Sequence, residues 1–191
     1  MSRSLEIRES GIAGCLILQA PAFRDERGVF VKTFQWQAYE NAGLAVDFVE
    51  QFYTVSEENV LRGMHCQLPP HGHDKLVYCV SGSVFDAVVD LRAGSPSYGR
   101  YEVFELSAQD RQVLYIPEGV AHGFCVLDSP ATLVYSVTSG HSPSHDSGIR
   151  WDSAGIEWPI ESPIISARDR ALPRLNEFAS PFRYRASGGA S

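Results

Sequence analysis

Short runs of β-branched and aromatic residues, separated by clusters of Gly, Pro, Ser and Asp, dominate the middle of the chain. Runs such as YEVFEL, QVLYIP and ATLVYSVT have the length of strands and recur at short spacing, which is typical of a β-sandwich or barrel. The longer run LVYCVSGSVFDAVVDLR is interrupted at Ser81-Gly82-Ser83. This interruption predicts a hairpin between two strands.

Both ends of the chain depart from this pattern. CLILQAPAF and GVFVKTF predict an N-terminal strand pair with a turn at Asp25–Gly28, and WQAYENAG predicts a short helix capped by Gly43. Near the C-terminus, SARDRALPRLNEF predicts a turn or two of helix interrupted by Pro173. We therefore expect an all-β barrel with an N-terminal strand arm and short C-terminal helices, as one domain over residues 1–185. The small, polar tail 186–191 is expected to be disordered.

Composition and charge narrow the class of protein. Apolar residues make up 44% and charged residues 20% of the chain, which is ordinary for a soluble globular protein. No run approaches the roughly 18 apolar residues of a membrane helix, and MSRSLEIRES carries charges where a signal peptide needs an apolar core. We therefore expect a cytoplasmic protein that binds no membrane. The net charge of −7 argues against nucleic-acid binding, so an anionic ligand would need a local basic site.

The cysteines are scattered along the chain without a C-x-x-C pair: Cys15, Cys66, Cys79 and Cys125. Disulfides would need an oxidising compartment, which nothing else in the sequence implies. We therefore expect buried free thiols.

The stretch LRGMHCQLPPHGHDKLVYCVSG, residues 61–82, raises the question of a metal site. Its His71 and His73, together with PEGVAH at 117–122, resemble the two motifs of metal-binding cupin barrels. The position that would hold the acidic metal ligand is Lys75, whose ammonium repels a metal ion and offers no lone pair. The pattern therefore favours a cupin-type jelly-roll β-barrel without a functional metal, and it leaves the roles of the two loop histidines open.

The same strands carry residues suited to acid–base chemistry. In an extended segment, His65 and Gln67 point to one face. A barrel can bring four side chains of these strands into one pocket: Arg62, His65, Lys75 and Tyr135. A histidine has the pKa of a general base near neutrality, a lysine stabilises developing oxyanion charge, and a tyrosine can donate a proton.

Several ordered motifs resemble the dTDP-4-dehydrorhamnose 3,5-epimerase family of nucleotide-sugar epimerases: FRDERGVF, NVLRGMHCQ, KLVYCVSGSVFDAVVDLRAGSPSYG, LYIPEGVAHGF, GIRWDSAGIEWP and SARD. The resemblance runs from about Gly11 to Leu175. It implies a homodimer with an exchanged N-terminal strand and a nucleotide-diphosphate 4-keto-6-deoxy sugar as substrate. Inversion at C3 and C5 would proceed through an enolate without redox change, so no cofactor is expected, and the chain lacks a helix-opening G-x-G-x-x-G.

The resemblance also implies roles for individual residues. His65 resembles the family's general base, and Asp169 resembles the carboxylate that pairs with it. Tyr135 matches the residue that protonates the opposite face, and Lys75 matches the lysine beside the sugar C4 oxygen. Other matched positions bind the nucleotide diphosphate and the sugar: Arg27, Arg62, His122 and Arg168.

Four departures from the family pattern concern substrate binding. Glu50, Gln51 and Phe52 replace a Gln-Asp-Asn run that helps to hold the nucleotide. His141 stands for a tyrosine that stacks on the base, and Asp146 stands for a glutamate. Lys32 replaces an acidic residue associated with thymine recognition. Because cytosine N3 accepts a hydrogen bond that a lysine can donate, a CDP- or GDP-linked sugar is an alternative substrate.

Three further hypotheses remain beside the 3,5-epimerase. Relatives that invert only C3 or only C5 carry nearly the same residues, and product outcome depends on how the sugar sits in the pocket. A metal-dependent cupin isomerase or dioxygenase would contain stoichiometric metal. A sugar-nucleotide binding protein without catalytic activity would not need both a base and an acid.

Overall fold

The computed structural model describes residues 5–185, and this part of the chain is mostly β, as predicted. The strands are β1 (Glu6–Glu9), β2 (Leu16–Gln19), β3 (Ala22–Asp25), β4 (Gly28–Val31), β5 (Glu50–Ser56), β6 (Leu61–Gln67), β7 (Lys75–Asp90), β8 (Tyr101–Ser107), β9 (Gln112–Ile116), β10 (Val120–Val137) and β11 (Asp146–Gly148). The helices are α1 (Trp36–Asn41) and α2 (Ala167–Arg170), followed by a 3-10 turn at Leu175–Glu177.

Nine strands form one antiparallel sheet around the long strands β7 and β10. The order is β1-β2-β9-β7-β10-β6-β11, with β5 paired to β10 and β8 paired to β7 off this path. Each long strand changes its outer neighbour along its length. The first part of β7 pairs with β9 and the second with β8, while the first part of β10 pairs with β6 and the second with β5. Residues from β5, β6, β7 and β10 are therefore brought together.

The prediction of a hairpin at Ser81-Gly82-Ser83 is wrong. Strand β7 continues without reversal, and both of its halves pair with β10. The pairing register shifts at this point, and Gly82 has a φ of 69°. A Cβ at Gly82 would collide with the carbonyl oxygens of Asp128 and Pro130. The glycine therefore serves a bulge and a close backbone approach, which share their composition with a turn.

The predictions for the two ends are confirmed in part: CLILQAPAF is divided, with Leu16–Gln19 (β2) in the large sheet and only Ala22–Asp25 (β3) in the predicted strand pair. Strands β3 and β4 form a separate hairpin in which Asp25 pairs with Gly28. Helix α1 is followed by Gly43 in the left-handed region, with a φ of 71°. Pro173 separates α2 from the 3-10 turn. The tail 186–191, which was expected to be disordered, lies outside the described residues.

The main hydrophobic core is built from alternating residues of the central strands, among them Val77, Val88, Leu114 and Phe124. Burying each such side chain stabilises the fold by about 1.5–3 kcal/mol. Tyr135 belongs to the same cluster, so the core continues into the cavity described below. All four cysteines are buried and free. Among residues 5–185, no helix is both long and apolar enough to span a bilayer.

Candidate active site

A cavity of about 270 Å³ lies where β5, β6, β7 and β10 meet. It is lined by the four strand residues predicted to share a pocket: Arg62, His65, Lys75 and Tyr135. Four of the predicted substrate-binding residues also line it: His122, His141, Asp146 and Arg168. On β6, strand alternation accounts for His65 and Gln67, which lie two residues apart and both line the cavity.

His65 is held by a carboxylate from the C-terminal part of the chain. Its Nε2 lies 2.8 Å from Oδ1 of Asp169 in α2. The other carboxylate oxygen accepts the backbone N–H of Gly63 at 3.2 Å, and the backbone N–H of Asp169 donates to the Ser166 hydroxyl at 3.0 Å. With its Nε2 proton donated to Asp169, the imidazole keeps the lone pair of Nδ1. In this tautomer Nδ1 is the basic atom of the pair.

The charge states of this pair follow from burial and hydrogen bonding. Burial lowers the pKa of His65 below its usual 6.5, although Asp169 acts in the opposite direction. Burial alone would raise the pKa of Asp169, but the hydrogen bonds from His65 and from the Gly63 N–H bring it below its usual value. At neutral pH the imidazole is therefore neutral and the carboxylate charged, which is the state that a general base requires.

Lys75 lies beside this base. Its Nζ donates to the carbonyl oxygen of His65 at 3.2 Å, and the residue is only 9% exposed. Burial lowers the pKa of the ammonium, and the nearby acidic groups Asp146 and Asp86 partly oppose this effect. An ammonium has three donors, so this geometry leaves donors for a ligand oxygen.

Tyr135 lies on the part of β10 that pairs with β5. Its ring is stacked on Phe52, with a centroid distance of 4.9 Å and an interplanar angle of 12°. The ring of His122 packs against it edge-on at 6.0 Å. Burial raises the pKa of the phenol above its usual value of 10, so the hydroxyl keeps its proton at neutral pH. Tyr135 is therefore available as a proton donor to a group in the cavity.

A second histidine–aspartate pair was missed by the sequence reasoning. Nε2 of His122 lies 2.7 Å from Oδ2 of Asp86, a residue of β7 with no exposed surface. Burial raises the pKa of Asp86, and His122 opposes this rise. The signal was a lone carboxylate within the apolar run VFDAVV, because a buried charge needs a partner. Asp86 fixes His122 from behind the cavity.

The cavity mouth carries a mixture of charges. Asp146 accepts a hydrogen bond from Arg168 at 2.7 Å, and the Arg168 side chain is 47% exposed. Glu50 accepts the backbone N–H of His141 at 2.9 Å. Nε of Arg62, an exposed residue of β6, donates to the Ser56 hydroxyl at 3.0 Å. The cavity lining therefore contains both cations, Arg62 and Arg168, and carboxylates, Glu50 and Asp146.

The two loop histidines have different surroundings. His73 lines the cavity, and burial lowers its pKa to about 3. His71 packs against His145, with ring centroids 4.4 Å apart. In residues 5–185, no three His, Cys, Asp or Glu side chains are grouped so as to hold a metal ion.

Three predicted binding residues lie outside the cavity lining: Arg27, Lys32 and Gln51. Arg27 lies in the turn between β3 and β4, where its 85% exposed side chain pairs with Asp25. Lys32 follows the same hairpin and is exposed. Gln51 donates to the Ser136 hydroxyl at 3.0 Å, whereas its neighbours Glu50 and Phe52 face the cavity. Strand alternation could have identified those two neighbours.

The fold and the cavity define a mostly β protein with a histidine-based acid–base site. The family model described as dTDP-4-dehydrorhamnose 3,5-epimerase matches residues 9–177. The chain belongs to this family of epimerases, as the sequence motifs predicted.

Individual relatives agree with this assignment. The dTDP-4-dehydrorhamnose 3,5-epimerase of Shigella flexneri is 42% identical over 168 residues, which cover 86% of this chain and 93% of the relative. That of Methanothermobacter thermautotrophicus is 39% identical over 175 residues, covering 88% and 94%.

Solved structures are similar over most of the chain. The dTDP-6-deoxy-D-glucose-3,5-epimerase of Legionella pneumophila, solved with dTDP-4-keto-L-rhamnose, is 34% identical with a TM-score of 0.90 and covers 95% of this chain and 100% of its own. A 3'-monoepimerase from Streptomyces bikiniensis, solved with dTDP-quinovose, is 32% identical with a TM-score of 0.83, covering 88% and 87%.

Proposed function

We propose that this protein is a dTDP-4-dehydrorhamnose 3,5-epimerase, an isomerase that inverts C3 and C5 of a nucleotide-linked 4-keto-6-deoxyhexose. The observation that carries the proposal is one cavity lined by a neutral histidine paired with a carboxylate, a buried ammonium and a protonated phenol: His65 with Asp169, Lys75 and Tyr135. The curated relatives at about 40% identity bear the name of this activity.

The proposed chemistry consists of two proton transfers at each carbon. The protons on C3 and C5 are both α to the C4 carbonyl. His65 takes one of them, the C–H electron pair forms the enolate, and Lys75 stabilises the negative oxygen at C4. Tyr135 then gives its hydroxyl proton to the opposite face of the same carbon, and the C4 carbonyl forms again. The phenolate regains a proton from solvent, and His65 releases its own to solvent.

No oxidation state changes in this scheme, so it requires no nicotinamide, and Lys75 rather than a metal would stabilise the negative oxygen at C4. The remaining cavity residues would bind the nucleotide-linked sugar: Arg62, His122 and Arg168 its diphosphate and sugar, and His141, with Asp146 near it, its base. Planar guanidinium groups suit bidentate contacts with phosphate oxygens.

The proposal includes a homodimer with an exchanged N-terminal strand arm. Arg27 and Lys32 lie on or next to the β3–β4 hairpin and do not reach the cavity of their own chain. The hairpin exposes Phe23, Val29 and Phe30, of which Phe30 is 60% exposed. Exposed apolar strands are typical of surfaces that pair with another chain. A partner subunit's arm could therefore supply these cations to the cavity.

We further infer that residues 1–185 form one cupin-type jelly-roll domain that works in the cytoplasm. The continuous pairing from β1 to β11 and the family match over residues 9–177 support a single domain. The long strands β7 and β10, which exchange neighbours along their length, support the jelly roll.

The test is deuterium uptake in D2O, followed by NMR at each sugar carbon. Parallel samples would contain dTDP-, CDP- and GDP-4-keto-6-deoxyglucose. Label at C3 and C5 with the dTDP sugar reacting fastest is the expected result. Label at one carbon would indicate a monoepimerase, a faster CDP or GDP sugar would contradict a preference for dTDP, and no label with any sugar would overturn the epimerase.

A further inference from the structure

Phe52 and Tyr135 form an aromatic stack on the wall of the cavity. The two residues lie directly opposite each other on the antiparallel strands β5 and β10. Their ring centroids are 4.9 Å apart, and the ring planes differ by 12°. Directly opposed aromatic side chains stabilise each other, and a stacked arrangement restricts how either ring can turn. An asparagine, which the family pattern has at this position, could not form such a stack.

The stack restrains the phenol on the side of the cavity wall. Among the described residues, no hydrogen bond of normal geometry holds the Tyr135 hydroxyl. Thr54 lies on the same face of β5 as Phe52, and its hydroxyl opposes the rise in the pKa of Tyr135. Within residues 5–185, however, this buried hydroxyl has no hydrogen-bond partner. The other aromatic neighbour, His122, touches the ring only edge-on.

Phe52 also separates the phenol from water. Tyr135 is 7% exposed, whereas Phe52 is 43% exposed and faces the cavity. The Phe52 ring therefore covers one face of the Tyr135 ring. Desolvation is the largest cause of the raised pKa of Tyr135. The hydroxyl therefore keeps its proton until the proton is transferred to the enolate.

We propose that Phe52 is a positioning residue that holds Tyr135 in the orientation from which it protonates the sugar. This inference rests on the proposed function. In the step concerned, the phenol O–H bond breaks and a C–H bond forms at C3 or C5 on the face opposite His65. The enolate returns to the C4 ketone, and solvent restores the phenol proton. If the phenol is displaced, it protonates the enolate more slowly and the enolate lives longer. His65 then has time to exchange its proton with solvent and to return the exchanged proton to the original face.

The two fates of the enolate can be measured separately in D2O. Protonation by Tyr135 gives a labelled, inverted sugar. Return by His65 gives a labelled sugar of unchanged configuration. At early times, the ratio of unchanged-configuration label to inverted label reports how well Tyr135 is positioned, and it is independent of how much enzyme is folded.

Phe52→Leu removes the stack, and we expect the ratio to rise about two- to tenfold, the range that aromatic pairing energies span. Phe52→Tyr keeps the stack and should restore a ratio close to that of the unmodified protein. Tyr53→Leu is the matched control, since this neighbouring side chain is 68% exposed and points to the other side of the strand. If the leucine variant does not fold, the same ratio is measured in Phe52→Met, which keeps the apolar volume but has no ring.

An unchanged ratio in Phe52→Leu or Phe52→Met, with a protein that still takes up deuterium, would overturn the positioning role alone. An equal rise in Tyr53→Leu would overturn it too, because the effect would then belong to the strand. If the unmodified protein takes up no deuterium from any of the three nucleotide sugars, the proposed function fails and this inference fails with it.

Discussion

Two histidine–aspartate pairs of nearly equal length contribute to the cavity, and they differ in solvation. His65 and Asp169 are 2.8 Å apart, and His122 and Asp86 are 2.7 Å apart. The His65 side chain is 28% exposed, whereas that of His122 is 5% exposed. The second oxygen of Asp169 accepts the Gly63 N–H, but that of Asp86 has no partner within residues 5–185.

The pKa values of the two carboxyl groups move in opposite directions. That of Asp169 is lowered by its hydrogen bonds, and that of Asp86 is raised by desolvation. A base that works in cycles must exchange protons with water, and only His65 has the necessary exposure. The hydrogen-bond distance alone does not define the role of such a pair. Its hydration and the remaining bonds of the carboxylate do.

The sharpest test of this comparison is His65→Asn. Removal of a general base should lower kcat by about 10³-fold, since acid–base catalysis of this kind contributes about 10²–10⁴-fold. Unfolding by urea should change little, because Asp169 keeps the Gly63 N–H and the Ser166 cap. The matched control is His145→Asn, which lies outside the cavity lining. A kcat within tenfold of the original would contradict the assignment of the base.

His122→Phe examines the buried pair. The ring volume is kept, but Asp86 is left as a buried carboxyl without its partner. We expect the free energy of unfolding to fall by about 3 kcal/mol, the cost of breaking a buried pair from one side. Urea unfolding measures this loss.

The paired change supplies the control. Adding Asp86→Asn to His122→Phe should recover most of the lost stability, because the carboxyl is then no longer buried alone. His65→Phe should cost less than His122→Phe, since Asp169 retains other donors. Equal losses in the two phenylalanine variants would remove the distinction between the pairs.

Asp169→Asn tests how the carboxylate serves the base. Asp169 raises the pKa of His65, so its loss should lower that pKa further. The base is active when neutral; hence the acidic limb of kcat/KM should move to lower pH. The rate on the plateau should fall by about 10²-fold, since the imidazole is a weaker base with a less defined tautomer. A limb that moves to higher pH would disprove the proposed coupling.

The sequence alone located part of this site. His65, Lys75 and Tyr135 follow from residue chemistry on strands that a barrel can bring together, and the structure brings them to one cavity. Asp169 is 104 residues from His65, so only the family resemblance could pair them. Local patterns carry no information on such distant contacts.

The errors and omissions have a physical cause as well. Gly82 resembles a turn because a bulge and a turn both need an unusual φ, and only the pairing with β10 distinguishes them. Asp86 was overlooked because its partner lies on another strand. Arg27 and Lys32 lie on or next to the β3–β4 hairpin and do not line the cavity of their own chain. Their predicted contact with the ligand stays a prediction, which the proposed homodimer would satisfy.

The ion pair at the cavity mouth extends the comparison to the most hydrated case. Asp146 and Arg168 are 2.7 Å apart, yet the Arg168 side chain is 47% exposed. Exposed pairs contribute about 0–1 kcal/mol, so Asp146→Asn should change the free energy of unfolding by less than about 1 kcal/mol. The small effect should shrink further in 1 M salt, where the screening length is about 3 Å. A loss near that of His122→Phe would mean that hydration does not rank the three pairs.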